Sequence, residues 1–167
     1  VASKGEFKAL KHDDMLELFT RAFKRPGPPS EAYLVYSDEE AYARVWKSID
    51  PHTDPPLGFF YRGRIHVPPN ADILTIFHES LHWARDNFGA RAILGDFWEE
   101  GTTEWLTRRA FGPSAGNVYE VNVRFTQGIA DIVGERTMQD AYLHGQWGPL
   151  RAKLESRFGS AAATEEF

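Results

Sequence analysis

Apolar residues recur along this chain at intervals of three and four, interrupted by a few short continuous runs, and that rhythm predicts a mostly helical α+β protein with a small sheet or hairpin. A first helix spans 12–24, with Met15, Leu16, Phe19, Ala22 and Phe23 on one side and Arg25-Pro26-Gly27-Pro28-Pro29 closing it. Tyr33-Leu34-Val35-Tyr36 has the composition of a short buried strand. Ser37 is placed to cap the next helix, with Glu40 as its capping-box partner and Tyr42, Val45, Trp46 and Ile49 turned inward. The proline-containing segment from Ser48 to Leu57 is a connecting loop. Gly58-Phe59-Phe60-Tyr61 and Arg64-Ile65-His66-Val67, separated by Arg62-Gly63, predict a hairpin or a bulged strand that Pro68-Pro69 ends.

The next helix is the most regular. Asn70 can cap it, Asp72 sits in the first turn where negative charge suits the macrodipole, and Gly89 is placed to end it. Ile73, Phe77, Leu81, Ala84 and Phe88 form its buried stripe, with the row Leu74, His78, His82 directly beside it. Ala90 to Gly95 is a connector, and Asp96-Phe97-Trp98-Glu99 has the capping-box form that opens a helix over Phe97 to Ala110, stopped by Gly112-Pro113. A helix from Val118 to Val133 is expected to bury Val118, Val121, Phe125, Ile129 and Ile132, with Gly128 allowing close packing. Shorter helices follow over Thr137 to His144 and around Leu150, Leu154 and Phe158, and the tail from Gly159 frays.

Composition narrows the picture. The 167 residues suit one domain with a real core, residues 1–167, and 14% aromatic residues argue against disorder. A net charge of −5 offers no broad basic field for nucleic acid or anionic lipid. No apolar run approaches the roughly 18 residues of a membrane span, and no signal-peptide pattern is present. The absence of cysteine excludes disulfides and every cysteine-containing zinc ligand set. A start at Val1 suggests a domain excised from a larger parent protein.

Chemistry concentrates in Phe77-His78-Glu79-Ser80-Leu81-His82. On a helix, residues four apart share a face, so the two imidazoles can reach one Zn²⁺ while Glu79, one step round, serves as general base. A catalytic zinc takes three protein ligands, so a third donor must come from elsewhere. Glu100 and Glu104, again four apart, share a face of the following helix beside Gly101, where a missing side chain permits close approach. One carboxylate can bind the metal and the other can accept the N–H of a ligand histidine. His66 lies within reach of such a site, although a strand histidine is more often structural.

His78-Glu79-x-x-His82, then 17 residues, then Glu100-Gly101-x-x-Glu104-Trp105 resembles the gluzincin branch of zinc metallopeptidases. The resemblance implies a zincin-like fold, with His78, His82 and Glu100 as zinc ligands, Glu79 as general base and Glu104 as the partner of a ligand histidine, His78 being favoured. The metzincin branch does not fit, because its glycine and third histidine would fall on Arg85 and Phe88, and the ligand set of peptide deformylase needs a cysteine. From Gly58 onward, Glu100–Arg108, Val133-Gly134-Glu135 and Asp140–Gly145 are similar to small bacterial metallopeptidase domains at the C-termini of polymorphic toxins and type VI secretion spike proteins. That likeness implies a secreted or injected effector acting in a target cell, with an immunity protein as a natural partner.

The reaction so implied is hydrolysis of a peptide or protein substrate, with Tyr119, Tyr142 and His144 as candidates to stabilise the oxyanion. An extended substrate is expected to add to the strand around Ile65-His66-Val67. Two alternatives share the same ligands: a zinc-stabilised binding module that turns nothing over, and a zinc hydrolase of a non-peptide substrate.

Overall fold

A computed structural model of the chain describes residues 12–86, 90–112 and 119–159. The expectations placed on Phe88, Gly89, Pro113, Val118 and the tail beyond Gly159 lie outside the described residues. The fold is mostly helical with one three-stranded sheet, as the hydrophobic rhythm predicts. It divides into two compact units between Ala84 and Arg85. No described helix is long and apolar enough to cross a membrane.

The first unit carries α1 (His12–Phe23), a 3₁₀ turn (Ser30–Ala32), β1 (Tyr33–Val35), α2 (Glu39–Ile49), β2 (Phe59–Tyr61), β3 (Arg64–Val67) and most of α3 (Ile73–Asp86). β3 is the central strand, parallel to β1 and antiparallel to β2. The β2–β3 connection is a tight hairpin in which Arg62 and Gly63 both take positive φ, 49° and 75°, the requirement of a twist-matched two-residue turn. Because β3 is paired on both sides, the strand around His66 has no free edge for an added substrate strand, contrary to expectation.

Cross-strand partners share a face, so the register puts Leu34, His66 and Phe59 on one side and Tyr33, Ile65 and Phe60 on the other. Helix α2 lies against the His66 side through Tyr42 and Trp46, whose rings stand 5.5 and 5.1 Å from Phe59. On the other side Tyr33 reaches α3. Phe19 and Phe23 of α1 pack on Phe77 of α3 with centroids 5.1 and 5.7 Å apart, which closes the core of this unit.

Three local expectations shift here. β1 is an edge strand rather than a buried one, with Leu34 and Val35 exposed. Asp38, not Ser37, caps α2 by accepting the Ala41 N–H at 2.7 Å. Asp72, not Asn70, holds the start of α3 by accepting the Thr75 N–H at 2.8 Å. A carboxylate meets the orphan donors of a first turn more strongly than a neutral hydroxyl or amide, so the acid takes the cap in both helices.

Among the described residues, the elements of the second unit are all helices: α4 (Ala90–Phe111), α5 (Glu120–Val133), α6 (Glu135–His144) and α7 (Trp147–Phe158). The expected connector before residue 96 is itself helical. Gly95, with φ 70° and ψ 167°, kinks α4 at that point instead of preceding it. Helix α5 is partly turned from the expected phase: Ile129 is buried and Phe125 half-buried as expected, but Val121 and Ile132 are exposed, and Val123, Thr126, Ala130 and Val133 are buried in their place. The cause is Gly101 of α4. A Cβ there would stand 2.5 Å from the Asn122 carbonyl oxygen and 2.8 Å from Thr126 Oγ1, so α5 presents its small residues to the glycine rather than its larger apolar ones. Gly128, expected to allow close packing, faces open space, with nothing within 4 Å of where its Cβ would be. Of the residues expected to anchor the last helix, Leu150 is buried and Phe158 exposed.

These two glycines should respond oppositely to alanine. Gly101→Ala should lower stability by at least about 2 kcal/mol, because the obstacle is backbone that cannot rotate aside. Gly128→Ala should raise it by about 0.5–1 kcal/mol through reduced chain entropy in an exposed helix interior. Chemical denaturation of both variants beside the parent chain measures each change.

Candidate metal centre

The turn His78–His82 is built by α3. Its stripe of Ile76, Phe77, Leu81 and Ala84 is almost completely buried, with relative exposures of 2% or less, and the histidines on the adjoining row stand at 8% and 5%. Their rings lie 4.9 Å apart at 69° to one another. Donor atoms of His78, Glu79 and His82 all fall within 4.8 Å of one another. Two nitrogen donors and a carboxylate gathered on one helical turn suit a zinc ion by donor type and by spacing.

Ser80, between the histidines, fixes the helix against the sheet. Its hydroxyl donates to the Ile76 carbonyl at 2.6 Å and therefore accepts from the Tyr33 phenol at 2.9 Å. Burial pushes Tyr33 up to about 12, so it stays a donor. On the far side of Glu79, the chain at Gly58 comes so close that a Cβ there would lie 3.2 Å from Glu79 Cγ and 2.8 Å from Thr75 Cγ2.

The acids singled out downstream lie on α4 in the second unit. Glu100 is half-buried. Glu104 is buried and accepts from Arg108 Nε at 3.0 Å, and Arg108 also donates to Glu120 at 2.8 Å. Glu99 is the most enclosed, at 2% exposure, and pairs with Arg85 at 2.9 Å. Around it, Tyr142 donates to Glu99 Oε1 at 3.2 Å and contacts Thr103 Oγ1. Burial first, and then the Glu99 charge, hold the Tyr142 phenol well above its ordinary value. Thr102, Thr103 and Thr107 each donate to the carbonyl four residues back, at 2.8, 3.0 and 2.9 Å, which lets a polar-looking stretch lie inside the unit with its hydroxyls satisfied.

Of the residues named for an oxyanion role, Tyr142 is fully enclosed. Tyr119 is 40% exposed at the left-handed cap of α5, and His144 is exposed at the end of α6. His66 is structural: its Nδ1 shares a hydrogen bond of 2.8 Å with the Tyr36 hydroxyl, and its ring stacks on Phe59 with centroids 4.2 Å apart. Sequence reasoning passed over the Arg85–Glu99 pair. Its signal was an arginine one turn beyond Leu81 on an otherwise apolar stripe, which requires a buried acid.

No protein-family model, no curated protein and no solved structure matches this chain.

Burial lowers the His66 pKa in the folded chain. The neutral ring's stabilising contribution is therefore whole above the unfolded value of about 6.5 and is lost as pH falls from there through the lowered folded value. Urea midpoints at pH 7 and pH 5 should differ less in His66→Gln than in the parent chain, because the variant has no ring to protonate at this position.

Proposed function

We propose that this chain is a zinc-dependent peptidase. The observation that supports the reading best is the gathering of His78, Glu79 and His82 donors within 4.8 Å on one turn of a helix whose adjoining face is locked into the core. When bound, zinc supplies Lewis acidity, which polarises a carbonyl and makes a water more acidic. By the sequence likeness to gluzincins, Glu100 is the proposed third ligand and Glu104 the acid that orients a ligand histidine.

The chain's own residues carry the rest. His78 and His82, as neutral imidazoles, hold the ion through ring nitrogens. A Glu79 carboxylate oxygen takes a proton from the attacking water and returns it to the departing amide nitrogen as the C–N bond breaks. The tyrosine-to-serine link from β1 keeps α3 from rolling, so this carboxylate stays aimed from a fixed turn. The likeness to toxin and spike-protein domains extends the proposal to a bacterial effector that cleaves proteins of a target cell.

Glu79→Gln keeps the size and hydrogen-bonding reach of the side chain and removes its basicity. With zinc supplied, the parent chain should hydrolyse an unfolded protein substrate such as casein. The variant should keep its far-ultraviolet circular dichroism and lose about 10²–10⁴-fold in kcat, the usual worth of a positioned general base. A variant that cleaves at the parental rate would remove Glu79 from the role, and a parent chain with no hydrolysis of unfolded protein would overturn the peptidase reading.

A further inference from the structure

Beside the proposed base, in the same unit, lies a cavity of about 260 Å³ whose walls include Glu39, Tyr42, Pro55, Pro56, Leu57 and Pro68. We propose that it is a subsite for one long cationic side chain, lysine or arginine, of a peptide substrate. The proposal deepens the peptidase reading and rests on it for the word substrate.

Position is the first argument. Leu57 is followed at once by Gly58, the residue whose backbone is pressed against Thr75 and Glu79 of α3. The Tyr42 phenol, another wall, is raised chiefly by burial and next by the charge of Glu79. One wall of the cavity is therefore a single residue along the chain from the segment that touches Glu79.

Size is the second. Pockets that enclose a whole small molecule run to about 300–1,000 Å³, so this one suits a single side chain. Three of the walls are prolines, whose fixed φ keeps the cavity preformed at little entropic cost.

Chemistry selects the occupant. Proline rings, the Tyr42 ring and the exposed Leu57 offer apolar surface to a methylene stem. The proline nitrogens carry no N–H, so those walls offer an anion no backbone donor there. The Tyr42 hydroxyl already donates to the Pro56 carbonyl at 2.8 Å. Glu39 is different: its neighbours Asp38 and Glu40 are engaged with Ala41 and Arg44, whereas no hydrogen bond or ion pair joins the Glu39 carboxylate among the described residues. A largely apolar sleeve whose polar wall groups are the uncommitted Glu39 carboxylate and the Asn70 amide, which can accept as well as donate, complements an alkyl stem with a positive head, and the chain's net charge of −5 favours approach of a cation.

The test uses acetylated, amidated Gly-Ser heptapeptides whose central residue is lysine, norleucine or glutamate. Each is titrated into ¹⁵N-labelled Glu79→Gln chain, in which hydrolysis is stopped, while amide shifts at residues 39–43 and 57–58 are followed. Lysine should bind tightest and glutamate weakest. Glu39→Gln should cut the lysine-over-norleucine preference by roughly three- to fivefold, the range of an exposed charge pair, and Glu39→Lys should invert the order of lysine and glutamate. Equal affinities for lysine and norleucine, no effect of Glu39→Lys, or no shifts at these amides would each overturn the subsite, whether or not the parent chain cuts the peptides. A lysine preference that Glu39→Lys inverts, found in a chain that cleaves nothing, would uphold the subsite and reject the peptidase.

Discussion

Everything proposed for this protein depends on how one helix divides its circumference. Phe77, Leu81 and Ala84 are fully buried on one side of α3, and an α-helix that buries residues at those steps must carry positions 78 and 82 together on the flank of the same stripe. Rolling the histidines apart or away would expose Phe77, at a cost of about 1.5–3 kcal/mol for that side chain alone. The Asp72 cap sets where the helix begins, and the Tyr33–Ser80–Ile76 chain of hydrogen bonds ties its middle to the sheet. The proposed metal donors are thus placed by apolar packing, and the polar contacts only prevent drift.

How far the sequence reveals this depends on the strength of each local signal. α3 was legible because its apolar steps are uninterrupted, and the β2–β3 hairpin was one of the two readings, hairpin or bulged strand, that Arg62-Gly63 between two apolar runs allowed. The caps were missed by one or two residues, since several polar side chains stood near each helix start and only geometry decides which oxygen meets the amides. α5 was phased wrongly at Val121 and Ile132, though not at Ile129, for a more general reason. Periodicity favours large side chains for the core, whereas at Gly101 the Asn122 backbone and the Thr126 hydroxyl of α5 come close enough to exclude even a Cβ.

The histidine turn of the candidate site was fully visible in the sequence, whereas the surroundings of the α4 acids were not. Three glutamates within six residues of α4 look alike on paper, yet their surroundings separate them. Glu99 is enclosed with Arg85, Tyr142 and Thr103, Glu104 is held by Arg108, and Glu100 is more exposed than either. Two charges buried as Arg85 and Glu99 are must remain paired, for removal of one partner strands the other in a poorly solvating interior at a cost of about 3–5 kcal/mol. The position of Arg85 on an apolar stripe signals that some acid must be buried with it, but not which one, because its partner lies 14 residues along the chain and Tyr142 a further 43.

The central claim is that α3 holds a zinc ion through His78 and His82. The most direct measurement is an equilibrium zinc titration of metal-stripped, folded protein, run beside His78→Ala and His82→Ala. One zinc per chain is expected for the parent, with affinity falling at least about tenfold in each variant, the worth of roughly 1.4 kcal/mol or more of lost binding energy per ligand. A folded parent chain that takes up no zinc, or one that binds it equally well without either histidine, would contradict the account.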